Sequence, residues 1–412
     1  MTDRIERRGE VRGWWLVALL CATQVLGMLH NATFPALIPV FQPLWALSGT
    51  EAGWVSGIYY AGYAAAVPLL VTITDRFDAR AIYLICCLLG GLAALAFAFF
   101  AEGLWTAILF RIFGGISLAG TYMVGLKLLS DRLAEHRRAR AVAVYTAFFG
   151  IGASLSVFVA GEVESRAGWS AAFFAASLGS FAACALVALF VRPLAQKRQA
   201  RRDAHLFDFR PVLRNREAMA YTLGYAAHIW ELFGFRAWLV AFLVFVFAQQ
   251  PDLAAGPWTP TQLATVILLL GMPASIAGNE LAGTFGRRRS IAVFMIASGG
   301  IALVLGFLAA APLWLLGSLL AIYALVIMAD SGALTAGTVI AATPERRGAT
   351  MALHSLFGFG TGFVSPLAFG VMLDLGGGNA SGLAWGLAFG LLGLGVLTGP
   401  PVLALLARRS GE

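Results

Sequence analysis

The sequence predicts an all-α membrane protein whose twelve transmembrane helices form two pseudo-symmetric six-helix bundles. Composition is the first reason: 59% of the 412 residues are hydrophobic and 12% charged, a balance that would coat a water-soluble chain with apolar surface. The second is length, because apolar runs recur from end to end and each reaches the roughly 20 residues a helix needs to cross about 30 Å of hydrocarbon. The third is a repeat, since the second half of the chain echoes the first at a nearly constant offset. Barrel strands would alternate over short segments, and these runs are continuous.

The first run, 13–38, follows Arg4, Arg7, Arg8 and Arg12 and starts with Trp14 and Trp15. It is too long for a signal-peptide core, and no small-residue cleavage site follows at the right distance, so it is expected to be retained. Runs at 51–74 and 80–101 are joined by "DRFDAR", and a fourth, 104–129, opens beside Trp105 and encloses Arg111. The pair 140–163 and 169–191 completes a first bundle, residues 1–191. A basic, polar stretch at 192–216, "RPLAQKRQARRDAHLFDFRPVLRNR", reads as a cytoplasmic linker. The second bundle, 217–412, holds runs at 218–248, 261–284, 290–310, 312–341, 348–373 and 382–407. Trp258 and Trp314 lie near run ends, where an amphipathic ring suits the headgroup layer.

With the N-terminus cytoplasmic, all but four of the 29 Lys and Arg fall in cytoplasmic tails or loops, as the positive-inside rule requires. Arg166 is in an outside loop, whereas Arg111, Lys127 and Arg236 lie within runs. Both termini are therefore expected in the cytoplasm, with the chain multi-pass in the cell (inner or plasma) membrane. The net charge of +8 is a topology signal and gives no support to nucleic-acid binding. Cys21, Cys86, Cys87 and Cys184 all fall within runs, away from loops where extracellular disulfides form. The sequence has no P-loop, no HExxH or CxxC spacing and no GxSxG turn. Neither an enzyme nor a bound cofactor or metal is expected, and a gradient must supply the energy.

The repeat is clearest where "RRARAVAVYTAFFGIGASLSVFVAG" (137–161) is set against "RRGATMALHSLFGFGTGFVSPLAFG" (346–370): Ala143 meets Ala352, Phe148 meets Phe357, Ser156 meets Ser365 and Gly161 meets Gly370. Likewise "DRFDAR" falls opposite "GTFGRR" (283–288). Parallel six-span halves are a transporter architecture, with substrate bound near the midplane where they meet. Two loop motifs then resemble the signature of the major facilitator superfamily, roughly G-x-L-x-D-R-x-G-R-R. The first, "VTITDRFDARA", matches at Asp75, Arg76 and Arg80 but has Val71 and Asp78 for the two glycines. The second, "NELAGTFGRRR", keeps Leu281, Ala282, Gly286, Arg287 and Arg288 but has Gly283 for the acid. The resemblance covers the whole chain. It implies alternating access, with Asp75, Arg76, Arg80, Arg287 and Arg288 as gating residues of a charge-assisted cytoplasmic latch; Arg287 to Arg289 can equally serve topology alone, Asp75 less so. "RIFGGISLAG" (111–120) resembles the family's second motif. The fifth run lacks the Gly-Pro bend of the family's drug antiporters, since Gly152, Ser156, Val157, Ala160 and Gly161 stand where G-x3-G-P-x2-G-G is expected.

An ionised group at a span centre costs roughly 2.5–3.5 kcal/mol on insertion scales, so intramembrane charges usually face partners or a water-filled path. His30 falls in the first span, Arg111 in the fourth, His228, Glu231 and Arg236 in the seventh and Asp330 in the tenth. In the resembled family, spans 1, 4, 7 and 10 line the cavity. At about 100° per residue, Glu231 lies about 60° to one side of His228 and Arg236 about 80° to the other, so all three can face one cavity. Arg111, Arg236, His30, His228 and Trp230 are expected to bind substrate, and Glu231 and Asp330 to carry protons. Glu231 and Arg236 can instead neutralise each other or Asp330, and polar groups also act as interhelical glue. Glu280 and His354, closer to the cytoplasmic ends, read as gate or interface residues.

The expectation is a secondary transporter that moves a small organic or inorganic anion with protons, because guanidinium groups recognise carboxylates through paired donors. A drug or metabolite/proton antiporter is the rival, favoured by the aromatic surroundings of the seventh span. The expected partners are the substrate, protons and the lipid bilayer, with the protein a monomer.

Overall fold

Inside hydrocarbon every backbone N–H and C=O must find a partner within its own segment, so long apolar runs become helices. The computed structural model describes residues 2–74, 76–194, 209–250 and 256–408, and among them there is no β-strand. Asp75 and the central part of the expected linker, 195–208, lie outside the described residues.

The first expected span is not one helix. α1 (Thr2–Gly27) ends early, the chain unwinds over 28–32, and two short helices follow, α2 (Thr33–Ala36) and α3 (Ile38–Trp45). Pro35 explains the break: it has no N–H to offer the carbonyl four residues back, and its ring clashes with that carbonyl in a continuous helix. α4 (Gly49–Ile73), α5 (Ala79–Phe100) and α6 (Leu104–Ser130) follow the expected runs. The fifth and sixth spans form α7 (Glu135–Phe190), in which Gly168 alone departs from helical geometry. Its φ of 83° is one that glycine adopts without steric cost.

After α8 (Arg210–Arg214), Asn215 caps α9 (Arg216–Gln249) through the Ala218 N–H. α10 (Pro260–Phe285) starts with a capping box between Thr259 and Gln262. α11 (Arg287–Leu305) precedes α12 (Leu313–Ala329) and α13 (Ser331–Ala341), which are interrupted at Asp330. α14 (Arg347–Leu375) ends in Gly377 and Gly378, both with positive φ, the usual helix-terminating conformation. α15 (Gly382–Val396) and α16 (Gly399–Arg408) share the last span; Pro400 and Pro401 can open a helix but not continue one. Among the described residues ten helical segments are long and apolar enough to cross a membrane, with Glu135–Phe190 counted once and Gly13–Gly27 a shorter apolar helix. Divided at Gly168, Glu135–Phe190 covers the fifth and sixth expected spans, and the first expected span falls on α1 to α3 with the turn at 28–32 between them.

By contacts the chain divides into one unit of Met1–Phe34 with Ala65–Ala200 and another of Pro35–Ala64 with Arg201–Glu412. α4 contributes its second half to the former and its first half to the latter. In the first unit α5 packs on α6 and α7, and α1 on α7, around Leu20, Tyr83, Leu128, Tyr145 and Val187. In the second, α9 runs against α14, α13 and α16 and is buried along most of its length. This places its polar residues inside the unit.

Candidate functional site

The break after α1 has a direct chemical consequence. Arg111 of α6, only 3% exposed, donates through Nη1 to the carbonyl of Asn31 at 2.8 Å and to that of His30 at 3.1 Å. The Asn31 carbonyl is the one that a residue-35 N–H would bond in a helix, and Pro35 has none. The guanidinium thus takes over the work of a missing backbone donor. The His30 ring is also buried and lies over α5, where a Cβ added at Gly90 would come within 3.0 Å of its Nε2.

The three polar residues of α9 all engage the tenth span, but at different points. His228, fully buried, places Nδ1 2.7 Å from Asp330 Oδ1 at the α12–α13 interruption. Its Nε2 has no hydrogen-bond partner among the described residues. Glu231, 1% exposed, accepts from Ser298 Oγ of α11 at 2.8 Å and from Tyr323 Oη of α12 at 3.1 Å. Its partners are hydroxyls, neither Arg236 nor His228. Arg236 is half-buried, and its one hydrogen bond among the described residues, from Nη2 to the Met328 sulfur, is 3.9 Å long. Its buried Nε has no hydrogen-bond partner among the described residues.

Trp230 turns to the last span, donating from Nε1 to the Leu391 carbonyl at 3.2 Å and lying against Gly395. His354 of α14 meets Thr338 Oγ1 through Nδ1 at 3.1 Å and stacks on Tyr225 with centroids 3.9 Å apart. Buried polar atoms left unpaired cost roughly 1–3 kcal/mol each. The Nε2 atoms of His228 and His354 and the Nε of Arg236 are among the buried atoms without a hydrogen-bond partner in the described residues, where a polar ligand or water would remove that cost.

At the basic loops, Arg80 donates to the Ala188 carbonyl at 2.8 Å, and Arg76 is exposed. The hub of the first loop is Asp78, which occupies a motif glycine position. It caps α5 through the Arg80 N–H at 3.1 Å, accepts from the Leu194 N–H at 2.9 Å, and pairs with Arg132 at 3.2 Å. Burial pushes its carboxyl up, but these three donors outweigh that and hold it below its ordinary range. In the second unit Arg287 reaches Asn279 Oδ1 at 3.0 Å and the Ala333 carbonyl at 3.1 Å, and Arg288 pairs with Glu217 at 2.8 Å. Sequence reasoning passes over Asp78 as a loss of motif and misses Ser298, Tyr323 and Asn279. Only an acid followed by a helix, the N-cap pattern, is available as a signal for Asp78.

A profile of the Major Facilitator Superfamily matches residues 19–357. A niacin transporter of Acinetobacter baylyi, NiaP, is 31% identical over 134 residues, 32% of this chain and 30% of that protein. Human protein spinster homolog 1 is 22% identical over 59% of this chain and 48% of its own length. The puromycin resistance protein pur8 of Streptomyces alboniger is 27% identical over 38% and 31%. The matches thus span between about a third and a half of these relatives' lengths. Among solved structures, a bacterial homolog of the human lysosomal transporter Spinster superposes with a TM-score of 0.77 at 15% identity over 96% of both chains. The nucleoside transporter NupG does so with 0.72 at 15% over 95% and 99%. At that identity the likeness is one of fold.

Proposed function

Because this chain belongs to the major facilitator superfamily of membrane transporters, we propose that it moves a small organic anion together with protons by alternating access. One observation carries the anion: Arg236 has no carboxylate at ion-pair distance among the described residues, while both nearby buried acids are engaged elsewhere, Asp330 with His228 and Glu231 with two hydroxyls. A cation left in a span without a counter-ion is costly. An anionic substrate that docks there removes the cost, which is a gain a neutral molecule does not receive. The relative named as a niacin transporter supports a carboxylate.

Proton coupling falls to Asp330 with His228, whose Oδ1 and Nδ1 lie 2.7 Å apart and can share one proton, and to Glu231. Arg111 and His30 serve in this reading as the brace of the broken first span, and Trp230 as packing. The protein is placed as a monomer in the plasma membrane, termini cytoplasmic, with Arg76, Arg80, Arg287 and Arg288 at the cytoplasmic gate. Export of a drug or metabolite against protons is the second reading, supported by the relative named for puromycin resistance and by the packed rings of Tyr60, Tyr63, Phe233 and Phe359.

A thermal-shift screen of purified protein against small carboxylates, neutral amides and aromatic cations separates the two, because a ligand at many times its dissociation constant stabilises by a few kcal/mol. Shifts by carboxylates, followed by their pH-driven accumulation in proteoliposomes, meet the first reading. Shifts by cations alone reject it.

A further inference from the structure

In the repeat that sets 137–161 against 346–370, His354 falls at the position of Tyr145, and each side chain braces neighbouring helices inside its own unit. Tyr145 donates to the Thr121 carbonyl of α6 at 2.8 Å, and His354 meets Thr338 of α13 at 3.1 Å. A phenol spends its only proton on such a brace, whereas an imidazole has a second nitrogen left over. The state of that nitrogen follows from its neighbours. Thr338 gives its single hydroxyl proton to the Leu334 carbonyl at 3.1 Å, so it can only accept from His354, whose Nδ1 must carry the ring proton. Nε2 of the neutral ring is then a bare lone pair, buried and with no hydrogen-bond partner among the described residues. His228 is disposed in the same way, with Nδ1 2.7 Å from Asp330 Oδ1 and Nε2 lacking a partner among the described residues. Tyr225 connects the two imidazoles: its ring centroid is 3.9 Å from that of His354 and 5.8 Å from that of His228, with interplanar angles of 19° and 27°. It fits there because residue 358 is glycine, where a Cβ would come within 2.3 Å of Tyr225 Cε1.

We infer that His354 is the station through which the His228–Asp330 pair exchanges its proton with the cytoplasmic end of its unit, and that Tyr225 positions the two imidazoles for the transfer. The inference rests on the reading of that pair as a proton carrier. Its direction follows from depth. Thr338 lies about two turns beyond Asp330 on α13, and His354 lies about two turns into α14, whose start at Arg346 and Arg347 is a basic end of the kind kept in the cytoplasm. With Nδ1 turned to Asp330, an added proton rests on His228 Nε2. In the transfer that N–H bond breaks and an N–H bond forms at His354 Nε2, across one water bonded to both nitrogens that takes a proton as it gives one. The positive charge moves with the proton, and nothing is oxidised or reduced. The groups around His354 leave this route short: α9 presents Tyr225 and His228, with Asp330 behind His228, and α13 presents Thr338. α8 brings Val212 beside Leu353 with Arg210 and Arg214 exposed, α4 brings Tyr60 and Tyr63 to Phe359, and α15 has no titratable residue.

The test needs no substrate. The full chain, carrying isotope-labelled histidine at its five positions, is purified and followed by nitrogen NMR through a pH titration without ligand, with signals assigned by replacing histidines singly and the exposed His136 as reference. In the parent, neutral His354 should carry its proton on Nδ1, and His228 should give one averaged signal as it passes between its protonation states. His354→Gln and His354→Tyr, the second being the residue of the first repeat, should keep the fold yet slow this exchange by roughly 100-fold or more, so that the His228 signal splits in two. Thr338→Val leaves the imidazole in place but removes the acceptor of its Nδ1 proton; the His354 proton should move to Nε2 and the His228 signal should again split. A merely bracing His354 changes the melting point and leaves the His228 signal averaged. That outcome in both His354 variants overturns the relay, as does a parent His228 that never changes state; if neither His354 variant folds by gel filtration, an averaged signal in Thr338→Val overturns it. With no substrate present, a wrong substrate class leaves the result untouched. Failure of the proton-coupling reading is seen elsewhere, as pH-driven accumulation that survives both Asp330→Asn and Glu231→Gln.

Discussion

Replacing Arg236 by methionine should move stability and binding in opposite directions. The guanidinium is half-buried beside Met328, with a 3.9 Å contact to sulfur as its one hydrogen bond among the described residues, so the unliganded protein carries a desolvated charge with little return. Methionine keeps a stem of similar length for packing and removes the charge. Exchanging buried ionic groups for apolar ones of similar volume stabilises by about 1–4 kcal/mol, and for a group only half-buried the lower end, about 1 kcal/mol, is expected. A substrate carboxylate would lose a charge-assisted hydrogen bond worth about 1.5–3 kcal/mol, a weakening of roughly 10- to 150-fold. Thermal melts of parent and Arg236→Met, each with and without the best carboxylate from the screen, read both effects at once. The expected pattern is a higher melting point without ligand and a vanishing ligand shift. A lower melting point with an intact carboxylate shift would show that Arg236 is a structural cation and that the anion docks elsewhere.

Asp330→Asn should abolish accumulation driven by a pH gradient while sparing exchange of labelled for unlabelled substrate, since exchange needs no net proton movement; if Glu231→Gln alone has this effect, the proton site is Glu231. Asp78→Asn should destabilise at neutral pH, and the sign of the pH dependence follows from its depressed folded pKa. The carboxylate's contribution is complete above the unfolded pKa of about 4 and disappears as pH falls through the lower folded value. The melting-point gap between parent and Asp78→Asn should therefore close below about pH 4, and an equal gap at pH 3 and pH 7 would falsify the charge-based account. Gly168→Val should lower stability by about 1–3 kcal/mol through backbone strain alone, since φ 83° with ψ 170° is a conformation kept for glycine and nothing lies within 4 Å of the added Cβ; Gly168→Asn should cost about as much, and equal denaturation midpoints for both and the parent would show the turn to be relaxed.

Much of this protein is legible in the order of its residues. Hydrophobic runs of span length, basic residues on alternate loops and a repeat of half the chain depend on local composition and on the bilayer, which acts on each segment separately, so a multi-span helical protein and its family can be read without knowing any contact. Which groups are misplaced in hydrocarbon is equally plain, because the cost of a charge there does not depend on its neighbours' identity. Their partners are another matter. Helical periodicity puts His228, Glu231 and Arg236 on one broad face, yet the structure sends them to Asp330, to Ser298 with Tyr323, and to Met328. Arg111 reads as a ligand group in the sequence, and only the fold shows that the unwound turn before Pro35 supplies carbonyls to its Nη1. Asp78 looks like a damaged motif until Leu194 and Arg132 arrive from distant parts of the chain. Hydrogen bonds act over about 3 Å, and helix rotation, side-chain length and the packing of neighbouring spans decide which atoms come that close. Sequence determines what must be satisfied, and tertiary packing alone decides which group satisfies it and which, like Arg236, is left with a sulfur atom where a carboxylate would serve better.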